Sequence, residues 1–277
     1  MPTPPVSPDS ADASSDTAGT PSAASTPRPR RRRRGLKITL ASVLAVLVVA
    51  VGAFLFWAND TYTAEPAGLA AVQEDPRVDV DDQGDVVVLR PTGESDGRGL
   101  VFLSGAKVDP QAYAATFQEV AAEGTTVVIV KPFLNLAILE RRPLDAFTDL
   151  APDVDSWAVG GHSMGGVKAC SYAESGDVDA LVLLASYCSG DALAERTDLD
   201  VISVSGTQDG LATPEKIDDS LADLPASTTV VRIDGASHAQ FGDYGLQPGD
   251  GTPTISDDAA RESISQALVP FLGPDEQ

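Results

Sequence analysis

The stretch Gly161–Gly165, with the sequence GHSMG, constrains the fold of this chain more than any other. It follows an apolar run, Ser156–Gly160, and precedes a segment with helical character, Gly166–Ala173. A G-x-S-x-G pentapeptide between a strand and a helix is typical of a sharp turn that exposes a serine at the carboxyl end of the strand. Glycine is needed on both sides because a Cβ there would clash where the strand reverses into the helix. We therefore expect Ser163 to be a nucleophile, the alternative being a glycine-rich turn with an incidental serine.

The rest of the chain from about residue 84 alternates between short apolar runs and segments of helical spacing. Predicted strands cover residues 86–90, 100–103, 125–130, 156–160, 180–185, 201–205 and 228–233, and predicted helical segments cover 110–123, 134–139, 144–150 and 257–272. The strands are uniformly apolar, as in a sheet that is buried on both faces. The pattern predicts an α/β fold with a mostly parallel central sheet and helices on both faces, and Ser163 at its carboxyl edge.

A serine nucleophile needs a base, and the base needs an acid that orients it. The chain has only two histidines. His162 is adjacent to Ser163 in the turn and cannot fold back onto its hydroxyl, so His238, directly after the last predicted strand, is the candidate base. Asp209 lies on a glycine-rich turn between the two and is the candidate acid, with Asp191 as its competitor. The order serine, acid, histidine brings all three to loops at one edge of such a sheet.

Two backbone N–H groups are candidates for an oxyanion hole, the pair of donors that stabilises negative charge on the reacting oxygen. One belongs to Met164, the residue after the candidate nucleophile. The other is expected in the loop 103–107, where Gly105 permits a tight turn and Ala106 is the candidate donor. An ordinary turn is the alternative for this loop.

The chain resembles the α/β-hydrolases over residues 84–272, and more narrowly the α/β-hydrolase fold-5 group related to dienelactone hydrolase. The stretches that carry the resemblance are 103–110, 160–166, 206–210 and 238–251. The resemblance implies a serine hydrolase that cleaves a carboxylic ester or a similar acyl bond through an acyl-enzyme. Two alternative functions remain open, namely a cell-envelope acyltransferase that uses the same three residues and a non-catalytic binding module on the same scaffold. No cofactor is expected, and with two cysteines and two histidines no metal site is expected.

The N-terminal region predicts a membrane anchor. Residues 1–37 form a Pro/Ser/Ala-rich tail that ends in a basic block and is expected to be disordered. Residues 38–57 are twenty residues without a charge, enough for one transmembrane helix. The basic residues before the helix predict a cytoplasmic N-terminus, which puts the rest of this single-pass chain outside the cytoplasm. A linker, 58–83, then leads to the catalytic domain, 84–277.

Other interpretations of this region also stay open. A cleaved signal peptide would have a weak cleavage site at residues 61–64, and Arg33 and Arg34 partly resemble a twin-arginine export signal. A buried helix of a soluble protein is a further alternative. An uncleaved signal anchor in the cell membrane is our prediction, because the apolar run is longer than the core of a signal peptide.

The net charge of the chain narrows the class of partner. The 277-residue chain has a net charge of −22, and without the seven cations and three acids of residues 1–37 the remaining 12 cations and 38 acids give −26. So acidic a domain would be repelled by phosphate, which excludes nucleic acid as a partner. A small-molecule or lipid-like acyl substrate is expected instead.

Cys170 and Cys188 could form one disulfide outside the cytoplasm or remain two buried thiols.

Overall fold

The computed structural model describes residues 30–274, with side chains from Gly35 onward. The predicted tail up to residue 29 and the last three residues lie outside this range. The chain forms two compact units, and the boundary between them follows Val51. The second unit begins at Gly52 and contains the end of the apolar helix together with the domain.

The first helix, α1, spans Arg30–Asn59. It begins inside the segment that we expected to be the basic tail, because a helix once formed extends at little cost through good helix formers such as arginine. Its part from Gly35 to Asn59 is long and apolar enough to cross a membrane, and no residue of its most apolar 18-residue stretch is buried.

The described part of the domain contains one sheet of eight strands: β1 (Val78–Asp82), β2 (Val86–Pro91), β3 (Arg98–Leu103), β4 (Thr126–Val130), β5 (Ser156–His162), β6 (Ala180–Leu184), β7 (Asp200–Gly206) and β8 (Thr229–Ile233). Their order across the sheet is β1-β2-β4-β3-β5-β6-β7-β8. Strands β3 to β8 pair with one another in parallel. At one edge of the sheet, β2 pairs antiparallel with both of its neighbours, β1 and β4. The mostly parallel sheet that the sequence predicted is confirmed.

Helices cover both faces of the sheet: α2 (Pro66–Glu74), α3 (Ala114–Ala122), α4 (Asp145–Thr148), α5 (Met164–Ser175), α6 (Pro214–Ser220) and α7 (Asp257–Leu272). Two apolar clusters form the core, one on each face of the sheet. Phe117 of α3 and Ile264 of α7 belong to the first cluster, and Phe147 of α4 and Ala169 of α5 belong to the second. Every residue of β4 is buried, as its β-branched sequence predicts.

The predicted linker 58–83 contains regular structure, because both α2 and β1 lie within it. Pro66 stands in the first turn of α2, a position where its missing N–H costs nothing. β1 alternates valine and aspartate, so that only one of its faces meets the core. The sheet thus begins before residue 84, where we had expected the domain to start.

Cys170 of α5 and Cys188, in the loop after β6, form a disulfide. Their Cα atoms lie 5.6 Å apart, which is the usual separation for such a bond. The alternative of two separate buried thiols is therefore wrong. The bond links α5, the helix that follows Ser163, to the loop after β6, which is the strand next to β5.

Candidate active site

Ser163 joins β5 to α5 in a strained backbone conformation, with φ 52° and ψ −123°. A residue with a side chain rarely adopts such a positive φ, and it is held here by its surroundings. A Cβ at Gly161 would lie 2.2 Å from the carbonyl carbon of Gly165, and one at Gly165 would lie 2.0 Å from the carbonyl oxygen of Leu103. Only glycine fits at these two positions, so the pentapeptide forms the sharp turn that its sequence predicts.

The loop after β6 supports this turn. The N–H of Ser163 donates to the carbonyl oxygen of Leu184 (3.1 Å), and the hydroxyl of Ser186 donates to the carbonyl oxygen of Ser163 (2.6 Å). We did not single out Ser186 from the sequence, because a lone serine in a loop carries no spacing signal. Its hydrogen bond fixes the peptide group of Ser163 from the side of the neighbouring strand.

Asp209 and His238 form a buried pair. Oδ2 of Asp209 lies 2.8 Å from Nδ1 of His238, and both side chains are almost completely buried. The other carboxylate oxygen, Oδ1, accepts the backbone N–H groups of Leu211 (2.8 Å) and Ala212 (2.7 Å). Because an ionised carboxylate can only accept hydrogen bonds, Nδ1 of His238 carries the proton, and Nε2 is free to accept one. Asp191, the competing acid, lies exposed at the surface.

Asp250 holds the loop that carries His238. Its carboxylate accepts the backbone N–H groups of His238 (3.0 Å), Ala239 (2.9 Å) and Gly210 (3.1 Å). Burial alone would raise the pKa of Asp250, but these backbone hydrogen bonds outweigh it and hold the pKa below its ordinary value. Asp250 therefore connects the turn after Asp209 to the turn that contains His238.

Ser163 and His238 line one cavity of about 340 Å³. Met164 lies on the same wall, and most of the lining is apolar, including Val167 and Leu211. Among the described residues, no hydrogen bond joins the Ser163 hydroxyl to His238. The cavity nevertheless presents a hydroxyl, an imidazole and an apolar surface to the same bound molecule.

The two candidate oxyanion donors are backbone N–H groups without an acceptor. In the loop after β3, the N–H of Gly105 donates to the hydroxyl of Tyr113 (2.9 Å), and the N–H of Lys107 donates to the carbonyl oxygen of Asn135 (2.7 Å). Between them, the N–H of Ala106 has no acceptor in the described part of the chain. The same holds for the N–H of Met164, at the start of α5. Met164 lines the cavity, and Ala106 is not among the residues that line it.

Tyr113 and His162 form a second buried pair beside the first. The Tyr113 hydroxyl lies 2.8 Å from Nδ1 of His162, and the ring centroids of His162 and His238 are 4.5 Å apart. Burial raises the pKa of the Tyr113 phenol, so it stays protonated and donates to Nδ1. Burial, and then the charge of His238, lower the pKa of His162 well below its ordinary 6.5, so this imidazole stays neutral. Its Nε2 has no hydrogen-bond partner among the described residues.

Comparison with known proteins gives one family. A sequence model of the alpha/beta hydrolase family matches residues 99–262, more than half of the chain. A search of curated proteins found no match.

Solved structures with a similar fold include a serine hydrolase homologue from Coxiella burnetii, with 14% identity, a TM-score of 0.50, and coverage of 72% of this chain and 99% of the other. An esterase from Pyrobaculum calidifontis has 16% identity, a TM-score of 0.51, and coverage of 73% and 87%. A dienelactone hydrolase from Anabaena variabilis has 15% identity, a TM-score of 0.51, and coverage of 70% and 97%. At these identities the likeness concerns the fold.

Proposed function

The chain belongs to the alpha/beta hydrolase family, and on this premise we propose that it is a serine hydrolase that cleaves a carboxylic ester or a similar acyl bond. The observation that carries the proposal is the buried 2.8 Å contact between Asp209 and His238, with His238 and Ser163 on the wall of one cavity. A carboxylate–imidazole pair beside a serine in a strained turn is the arrangement that activates a hydroxyl for acyl transfer.

The reaction proceeds in two halves. Ser163 Oγ attacks the acyl carbonyl carbon while His238 Nε2 takes the hydroxyl proton, and the imidazolium then gives that proton to the leaving alcohol. A water molecule attacks the resulting acyl-enzyme, and His238 again takes a proton and returns it to Ser163. Asp209 keeps Nδ1 protonated throughout and stabilises the positive charge on the imidazolium ring. Two backbone N–H groups bind the other oxygen of this carboxylate and hold it in position.

The N–H groups of Ala106 and Met164 stabilise the oxyanion. The N–H groups of Gly105, Lys107 and Ser163, which adjoin these donors, are already hydrogen-bonded, so the backbone that carries the donors is held before the substrate arrives. Each such donor contributes about 3 kcal/mol to stabilisation of the transition state, since it costs no reorganisation during the reaction.

The cavity supports an acyl group of small or moderate size. Its volume of about 340 Å³ lies at the lower end of ligand pockets. Ile138, Val167 and Leu211 offer apolar surface and no charge to a bound molecule. We therefore propose an uncharged, apolar acyl chain as the part of the substrate that enters the cavity.

A location outside the cytoplasm, behind a membrane anchor, is supported by two independent features. The apolar helix Gly35–Asn59 is preceded by a run of arginines in the sequence, which favours a cytoplasmic N-terminus. The disulfide between Cys170 and Cys188 favours an oxidising compartment for the domain. A cytoplasmic domain would keep these cysteines reduced.

The experiment that tests this function compares full-length protein with Ser163→Ala on a p-nitrophenyl ester of a short acid. Ser171→Ala is the matched control, because Ser171 lies exposed on the same helix α5. We expect Ser163→Ala to abolish turnover and Ser171→Ala to retain it. Full turnover by Ser163→Ala would refute the proposal. Products measured with added alcohols separate hydrolysis from acyl transfer, and a protein that neither turns over esters nor reacts with a fluorophosphonate would be a binding module.

A further inference from the structure

The loop that carries Ala106 is paired with the chain that directly follows the apolar helix. Tyr62 and Val108 form an isolated parallel β-bridge. The N–H of Tyr62 donates to the carbonyl oxygen of Lys107 (2.8 Å), and the N–H of Asp109 donates to the carbonyl oxygen of Tyr62 (2.8 Å). The segment 57–62, which we call the juxtamembrane segment, therefore lies along the oxyanion loop, residues 104–109.

The side chain of Lys107 is enclosed by the same segment. Its ammonium group lies 4.9 Å from the ring centroid of Trp57 and 5.5 Å from that of Tyr62, both within the range of cation–π attraction. The carboxylate of Asp60 lies 3.5 Å away. As a result Lys107 is only 7% exposed, although it is a lysine in a loop. Lysine is rarely buried without such partners.

The backbone of Lys107 is strained, and its contacts have to hold it. Its φ is 64°, in the left-handed region that disfavours residues with a Cβ by about 1–2 kcal/mol. The hydrogen bond to the carbonyl oxygen of Asn135 and the bond from Tyr62 fix the two sides of this residue. Because Ala106 directly precedes Lys107, the conformation of Lys107 decides the direction of the peptide groups at that end of the loop.

The juxtamembrane segment also reaches the loop that follows His238. The ring centroids of Tyr62 and Tyr244 lie 5.8 Å apart, and the N–H of Glu65 donates to the carbonyl oxygen of Asp243 (2.8 Å). The chain between Trp57 and Glu65 thus contacts both the oxyanion loop and the loop that follows His238.

We propose that the juxtamembrane segment is a positioning element for the oxyanion hole, with Trp57 and Tyr62 acting through Lys107 on the N–H of Ala106. The proposal rests on the proposed function, since it assigns a role to Ala106 in that reaction. It also gives a consequence of proteolysis. A chain cut near Ala64 would lose the residues that hold Lys107 and would hydrolyse esters more slowly than the intact chain.

The test uses the full-length chain in detergent with four variants. Lys107→Met keeps the length of the side chain and removes its charge, whereas Lys107→Arg keeps a cation that can lie over the same rings. Trp57→Leu removes one ring at a half-exposed position. Tyr62→Phe keeps the ring and both backbone hydrogen bonds and is the matched control. Active sites are counted by fluorophosphonate titration, so that kcat refers to folded protein.

We expect Lys107→Met and Trp57→Leu to lower kcat about tenfold with KM within about twofold, because the lost interaction acts on the transition state. Lys107→Arg recovers most of the rate, and Tyr62→Phe stays close to the parent. If Lys107→Met does not fold, the kcat of Trp57→Leu alone tests the proposal. Variants with the parent kcat would overturn the proposal, as would a lower melting temperature with an unchanged kcat per titrated site. Failure of the proposed function is a separate result, namely turnover that survives Ser163→Ala.

Discussion

The hydroxyl of Tyr113 connects His162 to the oxyanion loop, since it lies 2.8 Å from Nδ1 of His162 and accepts the N–H of Gly105 at 2.9 Å. Both side chains are buried, and a Cβ at Gly105 would lie 2.8 Å from the His162 ring. The turn that carries Ser163 and the loop that carries Ala106 are therefore fastened to each other by one phenol.

Tyr113→Phe removes this connection and keeps the packing of the ring. Two buried polar groups lose their partner, which we expect to cost about 1–3 kcal/mol in the free energy of unfolding. Because the oxyanion loop is released, kcat should fall about tenfold while KM changes little. Denaturant unfolding and steady-state kinetics on one ester measure the two effects. An unchanged kcat would show that the oxyanion loop is held without Tyr113.

The neutral imidazole of His162 predicts how stability depends on pH. Its pKa in the folded protein is well below 6.5 because of burial, so the unfolded chain takes up a proton more readily. The contribution of His162 to stability is complete above pH 6.5 and is lost as the pH falls from there towards the lowered pKa, by up to about 1.4 kcal/mol per pH unit.

His162→Gln should reduce this slope, because glutamine does not titrate. The measurement is the free energy of unfolding between about pH 5 and pH 7, with His238 present in both proteins. Equal slopes for parent and variant would mean that the pKa of His162 is the same in the folded and the unfolded protein.

Asp209→Asn tests the orienting acid. Asparagine can still accept the N–H groups of Leu211 and Ala212, so the fold should persist, but its amide favours the wrong tautomer of His238. We expect kcat to fall about ten-thousandfold. Asp191→Asn is the matched control, and its activity should equal that of the parent because Asp191 is exposed. The reverse result would identify Asp191 as the acid.

The disulfide predicts the compartment of the domain. Cells that express the chain are lysed in a membrane-permeant thiol reagent, and the protein is analysed by mass spectrometry before and after reduction. We expect no labelled cysteine before reduction and labelling of both Cys170 and Cys188 after it, since they are the only two cysteines. Labelling of both without reduction would contradict a location outside the cytoplasm.

The elements with a local signal were predicted from the sequence. β4 is apolar and β-branched, and α7 begins after Ser256, whose hydroxyl accepts the N–H of Ala259 as a helix cap does. The turn at Ser163 was predicted because its glycines are adjacent to it in the chain. The resemblance to the α/β-hydrolases, carried by stretches such as 160–166 and 206–210, was confirmed by the family match over residues 99–262.

Elements that depend on distant contacts were not predicted. β1 has only two apolar residues, and it forms because its backbone pairs with β2. Val72 is the one buried residue of α2, and Leu69 is partly buried against the core, so too few positions face the core to give a visible helical period. The connection between Tyr113 and His162 joins residues 49 positions apart, and nothing in the sequence near Tyr113 indicates its partner.

Activation of Ser163 by His238 is measured by the rate and the site of phosphonylation. The full-length protein and His238→Gln are treated with a fluorophosphonate, and the modified peptide is identified by mass spectrometry. We expect one adduct, on Ser163, formed at least about a thousandfold more slowly in His238→Gln. An adduct on another serine, or an equal rate in the two proteins, would contradict it.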